Sequence, residues 1–584
     1  MRAINLQPVL LLPSRRFFSI SSSRRLHSTS CSFCYSPTLR LQSITPVLLF
    51  YSCRAMSTAS VPRVIHVSDT IDLTEKERKI FDRLLATVRH FNLPTQLRVA
   101  GGWVRDKLLG KDCYDIDIAL DDMLGSKFVD KVTEFLASTG EEAQGLAVIP
   151  SNPDQSKHLE TARMRLYDMW IDFVNLRSEK YSENSRIPTK MDFGTAEEDA
   201  YRRDLTINSM FYNINTSSVE DLTGRGIEDL RSGKIVTPLP PKETFLDDPL
   251  RVLRAIRFGA RFRFTLDEEL KKAAAAYDVR DALAAKISKE RIGTELDLMM
   301  SGNEPVEAVK YIYELKLFSV VFSIPPDYEP TLPEDYNRFC VAYMDAGWNL
   351  LQSIGSFAFN DDQRRLALYA SLFFPLRKAT YKDKKAKEIP VVNYIFRDSL
   401  KRKASDADRV IGVHSAAERF LELIPFLESK SCGDLDALDL NNGFFDVSSS
   451  SKLRVSVGFL LRDIKDFWQV ALLVSMLYYP SDVAPCYEDE DSSDGRRNSF
   501  KKRREVFKTV EDAICRLGLE KVWESKPLVN GKDIMNVLQL KAGGPLVKEW
   551  QQRTLAWQLA NPTGSAEECL DWMRENHQKR IRLE

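Results

Sequence analysis

Leu97-Arg98-Val99-Ala100-Gly101-Gly102-Trp103-Val104-Arg105-Asp106 reads as a strand, a double-glycine turn and the start of a helix. After about ten residues comes Tyr114-Asp115-Ile116-Asp117-Ile118, which alternates acidic and apolar side chains in the manner of a strand. The glycines let the backbone pass close to a ligand. Free N–H groups at a helix start favour phosphate, and Arg105 on the first turn adds a charge-assisted donor. Asp115 and Asp117, two positions apart on a strand, project from one face. Neighbouring carboxylates repel, so the pair is costly without a cation. Mg2+ takes oxygen ligands and commonly shares its shell with phosphates. Phosphate cradle and metal pair therefore fall in one compact strand–helix–strand unit. Alone, each half also has an ordinary reading, a capped turn and a solvated strand. Asp172, in Trp170-Ile171-Asp172-Phe173 on a later predicted strand, can approach the pair.

Outward from this unit, residues 72–93 carry a helical apolar face (Leu73, Ile80, Leu84, Leu85, Val88) that Pro94 stops. A further helix is expected over about 126–138, and strands over about 146–149, 160–166 and 169–176. The mixture of strand and helix ends near residue 225. Beyond it helix dominates, with stretches at 248–260, 266–285, 290–300, 305–317, 361–372 and 407–428. Two segments read as loops. One is 177–196, with Gly, Pro, Ser and mixed charge. The other is 481–505, where an acidic run, 488–494, precedes a basic run, 496–504.

At 584 residues the chain is too long for one ordinary domain. Its formal charge of zero hides an asymmetry: residues 1–60 hold seven Arg and no acid, leaving 76 basic against 83 acidic side chains in the rest. Such a body binds nucleic acid only through a local basic surface. Residues 1–60, rich in Arg and Ser, have the composition of an organelle transit peptide. Met56, followed by Ser57-Thr58-Ala59-Ser60, is placed to start an untargeted form for the cytosol or nucleus. The nine cysteines show neither a disulfide framework nor zinc spacing. No run of 18 or more apolar residues appears, so no transmembrane helix is expected.

Three further blocks follow. Arg202-Arg203-Asp204-Leu205-Thr206-Ile207-Asn208 puts Asp204 and Asn208 four apart. Asp221-Leu222-Thr223-Gly224-Arg225-Gly226-Ile227-Glu228-Asp229-Leu230 comes next. In Asp248-Pro249-Leu250-Arg251-Val252-Leu253-Arg254-Ala255-Ile256-Arg257-Phe258, the proline suits a first helical turn. Arg251, Arg254 and Arg257 then recur every three residues as one drifting stripe, either a ligand surface or a basic face paired with nearby acids.

The four blocks, in this order, resemble the nucleotidyltransferase class that contains CCA-adding enzymes and bacterial poly(A) polymerases. The stretch Pro527–Ile534 and Trp557-Gln558-Leu559-Ala560-Asn561-Pro562 resemble eukaryotic members. The resemblance implies an α+β chain. A nucleotidyltransferase head with a mixed β-sheet and flanking helices (70–225) leads to a helical neck (226–305), then a helical RNA-binding body and tail (306–584) with a disordered loop near 481–505. It implies template-independent addition of C, C and A to the 3′ end of tRNA from CTP and ATP, with Mg2+ on Asp115 and Asp117 and help from Asp172. Gly101, Gly102 and Arg105 then cradle phosphate, and Arg202, Asp204 and Asn208 meet the ribose. Asp248 and Arg251 read the base, with Arg254 and Arg257 steering the triphosphate or supporting the pocket. The loop 177–196, with Arg186, Glu198 and Asp199, is the expected element of the change from C to A. Candidate tRNA contacts are 382–387, 397–403, 530–532 and 541–544. A poly(A) polymerase of the same class and a noncatalytic RNA-binding relative are the alternatives. Mitochondrion, or plastid, is the expected destination from Met1.

Overall fold

The computed structural model describes residues 65–142, 144–149, 161–182, 185–326, 328, 332–333, 335–355, 358–429, 448–479 and 493–583. The proposed transit peptide, Met56 and segment 481–492 lie outside them.

Helix α1 (Glu75–His90) opens on a capping box, with Thr74 and Glu77 satisfying each other's backbone N–H. Strand β1 (Leu97–Ala100) runs through Gly101 into α2 (Gly102–Leu108), and β2 (Ile116–Leu120) returns beside it. After α3 (Gly125–Ser138) come β3 (Leu146–Ile149), β4 (Thr161–Leu166) and β5 (Met169–Asn175). A separate hairpin, β6 (Arg177–Ser182) and β7 (Ser185–Phe193), leads to α4 (Ala196–Tyr201). Strands β8 (Phe211–Asn213) and β9 (Ser218–Glu220) complete a seven-stranded mixed sheet in the order β3-β4-β5-β2-β1-β8-β9.

Alternation gives the sheet two different faces. Ile116, Ile118, Met164, Ile171 and Phe173 are fully buried on one face, in a core shared with Ile80, Leu84, Phe128 and Val132 of α1 and α3. Asp117, Ala119, Asp172 and Val174 occupy the other face, which carries the site. In the parallel β2–β5 pair, Asp117 stands directly opposite Asp172.

Beyond the sheet the described residues are mainly helical, with two short strand pairs. Helices α5 (Gly226–Ser232), α6 (Pro241–Asp247), α7 (Leu250–Phe262), α8 (Glu268–Ala274), α9 (Tyr277–Lys286) and α10 (Lys289–Met300) form the neck. The apolar core continues through the neck into the long helices Tyr336–Ile354, Ala404–Glu428 and Ser449–Ile464. The last three helices enclose a small core of their own around Trp550, Ile534 and Met573. Among the described residues, no helix is long and apolar enough to cross a membrane.

Three expectations need correction. Segment 177–196 is mainly a paired hairpin, whose ladder runs from Arg177–Phe193 to Ser182–Ser185. Residues 493–505 are not a loop, because they begin a 24-residue helix, Ser493–Arg516. Val506, Phe507 and Val510 bury one face of that helix, and Arg503 is fully buried while donating to the carbonyls of Met476 and Tyr479 at 2.8 and 2.9 Å. A like-charge run reads as a solvated loop, yet here one of its cations caps buried carbonyls. The helical stretch expected at 266–285 is divided between two helices, α8 and α9, parted at 275–276.

Candidate active site

A cleft of about 1290 Å3 opens over the polar face of the sheet, bounded by α2, β2, the ends of β4 and β5, α7 and α10. Gly102, Arg105, Asp115, Asp117, Arg202, Asp204, Asn208, Asp248, Arg251 and Arg254 all line it. Residues from three of the four sequence blocks therefore meet in one place, and the block 221–230 does not line the cleft. Gly101, Asp172 and Arg257 stand behind or beside this lining.

Gly101 has φ +69°, the left-handed region that penalises a side chain. A Cβ there would lie 2.7 Å from a guanidinium nitrogen of Arg203, so the glycine leaves room for that arginine against the turn. Arg105 does not project freely, as expected of a phosphate-binding side chain. It is 3% exposed, bonds Asp106 at 2.8 Å and Asn208, and stacks over Phe258 and Phe262 at 5.0 and 4.7 Å. Its position braces α2 against α7.

Asp115 is exposed and immediately precedes β2, whereas Asp117 lies within that strand. Burial, then the carboxylates of Asp115 and Asp172, push the Asp117 carboxyl up to about 6, against the pull of Arg203 and Arg163. Asp172 is also raised, first by burial, although the Arg163 Nε sits 2.8 Å from its Oδ1. Three acids crowded on one face are the chemistry of a divalent-cation site. Asp115 and Asp117 face the cleft and can hold the ion, while Asp172 is held by Arg163. Among the described residues, no group of three or more His, Cys, Asp or Glu is placed to hold a metal ion together. A site with two protein carboxylates leaves the remaining positions to water and phosphate, the usual arrangement for Mg2+.

The next block forms a polar chain. Asp204 accepts from Arg254 Nε at 2.7 Å and from the Asn208 amide at 3.1 Å. Burial opposes its ionisation, but Arg254, Asn208 and Arg251 outweigh burial and hold the carboxyl at about 2. Arg202 bonds Asp199 and the Arg177 carbonyl. Asp199 is 1% exposed and also takes Arg203 at 2.7 Å, so it is a buried anchor for both arginines. Glu198 is engaged in the α4 capping box with Thr195.

Asp248 precedes α7. Its Oδ1 accepts from the Leu250 N–H at 3.1 Å and its Oδ2 from Arg291 at 3.0 Å. Arg251 is 8% exposed and donates to the Arg202 carbonyl at 2.7 Å. Arg254 and Arg257 pair with acids, Arg257 reaching Glu295 at 2.6 Å. The arginines thus split: Arg251 and Arg254 reach the cleft, and Arg257 ties α7 to α10. Sequence reasoning missed Arg203, Arg291 and Glu295. Arg203 stands beside Arg202 with no role its spacing would assign, and nothing in the spacing links Arg291 to Asp248, 43 residues away.

Residues 97–236 match the poly A polymerase head domain family, and residues 263–331 match the family described as a probable RNA- and SrmB-binding site of polymerase A. The tRNA nucleotidyltransferase cca2 of Schizosaccharomyces pombe is 32% identical over 522 residues, covering 86% of this chain and 98% of the relative. The mitochondrial CCA tRNA nucleotidyltransferase of Saccharomyces cerevisiae is 32% identical over 567 residues, with 90% and 98% covered. The fold is similar to that of the Bacillus stearothermophilus CCA-adding enzyme solved with CTP, with a TM-score of 0.57 at 17% identity, covering 87% of this chain and all of that one. With its head sheet, its crowded carboxylates and this likeness sustained along nearly the whole length of the relatives, the chain belongs to the tRNA nucleotidyltransferase family.

Proposed function

We propose that the protein adds C, C and A to the 3′ end of tRNA, using CTP and ATP without a template. The observation that carries this reading is the crowding of Asp115, Asp117 and Asp172 beneath a cleft that also presents Asp248 and Arg251. The 3′-hydroxyl of the RNA attacks the α-phosphate, a phosphodiester bond forms, the α–β anhydride breaks and pyrophosphate leaves. Asp115 and Asp117 would hold Mg2+, which when bound neutralises charge on the phosphates and lowers the proton affinity of the attacking hydroxyl. Asp172 adds negative charge beside Asp117 and orients Arg163. Arg203, packed against Gly101 and Asp199, supplies positive charge next to the phosphate turn.

Cytosine and adenine each present an amino donor beside an unprotonated ring nitrogen. Uracil and guanine present the reverse. A carboxylate at Asp248 and a guanidinium at Arg251 fit the first pair and leave polar groups unpaired with the second, which is costly in a desolvated site. Arg291 orients Asp248, and the Arg202 carbonyl orients Arg251. Asp204 and Asn208, locked by Arg254 and Arg105, would present polar groups to the ribose. The β6–β7 hairpin, joined directly to β5, is the proposed moving part in the change from CTP to ATP. Exposed cations at Lys382, Lys384, Lys385 and Lys387, at Arg397 and Lys401, and at Lys532 and Lys541 are proposed to hold tRNA by its phosphates.

Similarity that extends through the helical body of eukaryotic relatives favours this reading over a poly(A) polymerase. Primer extension on a tRNA lacking CCA tests it: three additions, in the order C, C, A, are expected, and a long A tail would overturn the reading. Residues 1–60 are proposed to direct the chain to the mitochondrion, and Met56 to start a cytosolic or nuclear form. A reporter on the full chain with Met56 replaced should lose its untargeted pool.

A further inference from the structure

The polar face of the sheet continues past the nucleotide cleft, which touches β4 and β5 only at Thr161, Val174 and Asn175. Strand β2 lies between β1 and β5. On the β1 side stand the glycine turn, Arg203 and α7, where phosphates and base are proposed to sit. On the other side, β5 and β4 continue the face outward. Asp117 pairs with Asp172, and Asp172 with Arg163. One step along, Asp115 and Trp170 immediately precede the paired Ile116 and Ile171, and Trp170 pairs in turn with Arg165.

Trp170 is 41% exposed, whereas the apolar side chains of the opposite face are buried. The Arg163 guanidinium lies 5.4 Å from its ring centroid. The far rim of the indole rests near Gly145, where a Cβ would come within 3.2 Å of the ring. The chain therefore makes space for an indole that it covers only in part. Arg163 and Arg165 keep 44% and 42% of their side chains exposed, with Asp172 and Asp168 as their acidic partners.

From this placement we infer that Trp170, flanked by Arg163 and Arg165, seats the 3′-terminal nucleotides of the RNA that is extended. The inference rests on the proposed nucleotidyl transfer. In that reaction the attacking oxygen and the leaving pyrophosphate lie roughly in line on opposite sides of the α-phosphate. With the triphosphate on the β1 side, the RNA end arrives across β5 and β4. Its last base is not constant, being first the tRNA's own and then C at both later steps. A seat that read base edges would fail at one step or another. An aromatic face accepts any base by stacking, and guanidinium groups beside it hold the backbone phosphate.

The test uses the full chain and a tRNA transcript lacking CCA. Trp170→Ala should raise the KM for RNA about tenfold, within the range for loss of one base–aromatic stack. The KM for CTP should not move, and Trp170→Phe should restore most of the RNA affinity. An unchanged RNA KM, or a rise shared equally with CTP, overturns the seat. A second readout uses the wild-type protein without nucleotide. The same transcript carrying 4-thiouridine at its 3′ end should crosslink within residues 161–175, and crosslinking only elsewhere overturns the seat. This readout decides the matter even if Trp170→Ala does not fold. It also separates the seat from the reaction, since a wild type that binds and crosslinks there but adds no C, C or A defeats the proposed function alone.

Discussion

Replacing Asp117 by asparagine should make the metal-free protein more stable while removing its activity. Its carboxyl titrates at about 6 instead of 3.8, because burial and the charges of Asp115 and Asp172 oppose its ionisation. At neutral pH that difference amounts to about 3 kcal/mol of unfavourable interaction in the folded state. The sign follows from the proton count. Between pH 4 and 6 the folded chain holds a proton here that the unfolded chain has lost, so this site's contribution to stability falls as pH rises through that window. The penalty is complete above about pH 6 and gone below about pH 4. The asparagine amide keeps the shape of the side chain and removes the charge. In EDTA at pH 7 the variant should melt a few degrees above wild type, and the gap should close as the pH falls to 4. Mg2+ should raise the melting midpoint of the wild type and leave the variant nearly unmoved, because only the intact pair binds it. Nucleotide incorporation by the variant should be lost. A variant that melts at or below wild type in EDTA at pH 7, or that keeps full incorporation, would refute the argument that this carboxylate is strained for want of a cation.

Asp204→Ala leaves the Arg254 guanidinium without its main partner and should cost about 3–5 kcal/mol in denaturant unfolding, with part of the loss recovered when Arg254→Met is added. Asp248→Ala should reduce the preference for CTP over UTP by about a hundredfold or more, measured as the ratio of kcat/KM values; an unchanged ratio would remove Asp248 from base selection. Shortening the β6–β7 hairpin at its tip, 182–185, should spare addition of C and depress addition of A, whereas equal loss of both would end its proposed role as a switch.

The strand, turn, helix and carboxylate strand of 97–120 were legible because each follows from local rules: alternation, glycine geometry and periodicity. The strands expected from Leu97 and over about 146–149 match β1 and β3. The hairpin at 177–193 was not, since its composition resembles a loop and its ladder is formed only with itself. Nor was the helix at 493–516, whose basic residues hid the recurrence of Val506, Phe507 and Val510. At the site, residue types were legible and their partners were not. Arg105 and Arg257 carry the charge of ligand-binding groups, and the fold also packs them between helices, a contact the sequence does not announce. The clasp of Arg291 on Asp248 depends on how α10 packs against α7, a long-range contact that neither helix announces.

The face-to-face placement of Asp117 and Asp172 has a consequence for which sequence changes the chain tolerates. Along β2 and β5, side chains point alternately up and down, so inserting or deleting one residue inside either segment would swing its acid into the oily layer beneath and lift an isoleucine or phenylalanine into water. Two insertions, one in each strand, would not repair the damage, since both acids would then be buried. Length variation among descendants of this chain should therefore fall outside these two strands. The few residues from Ile116 to Ala119 and from Ile171 to Val174 should keep their count even where their identities drift.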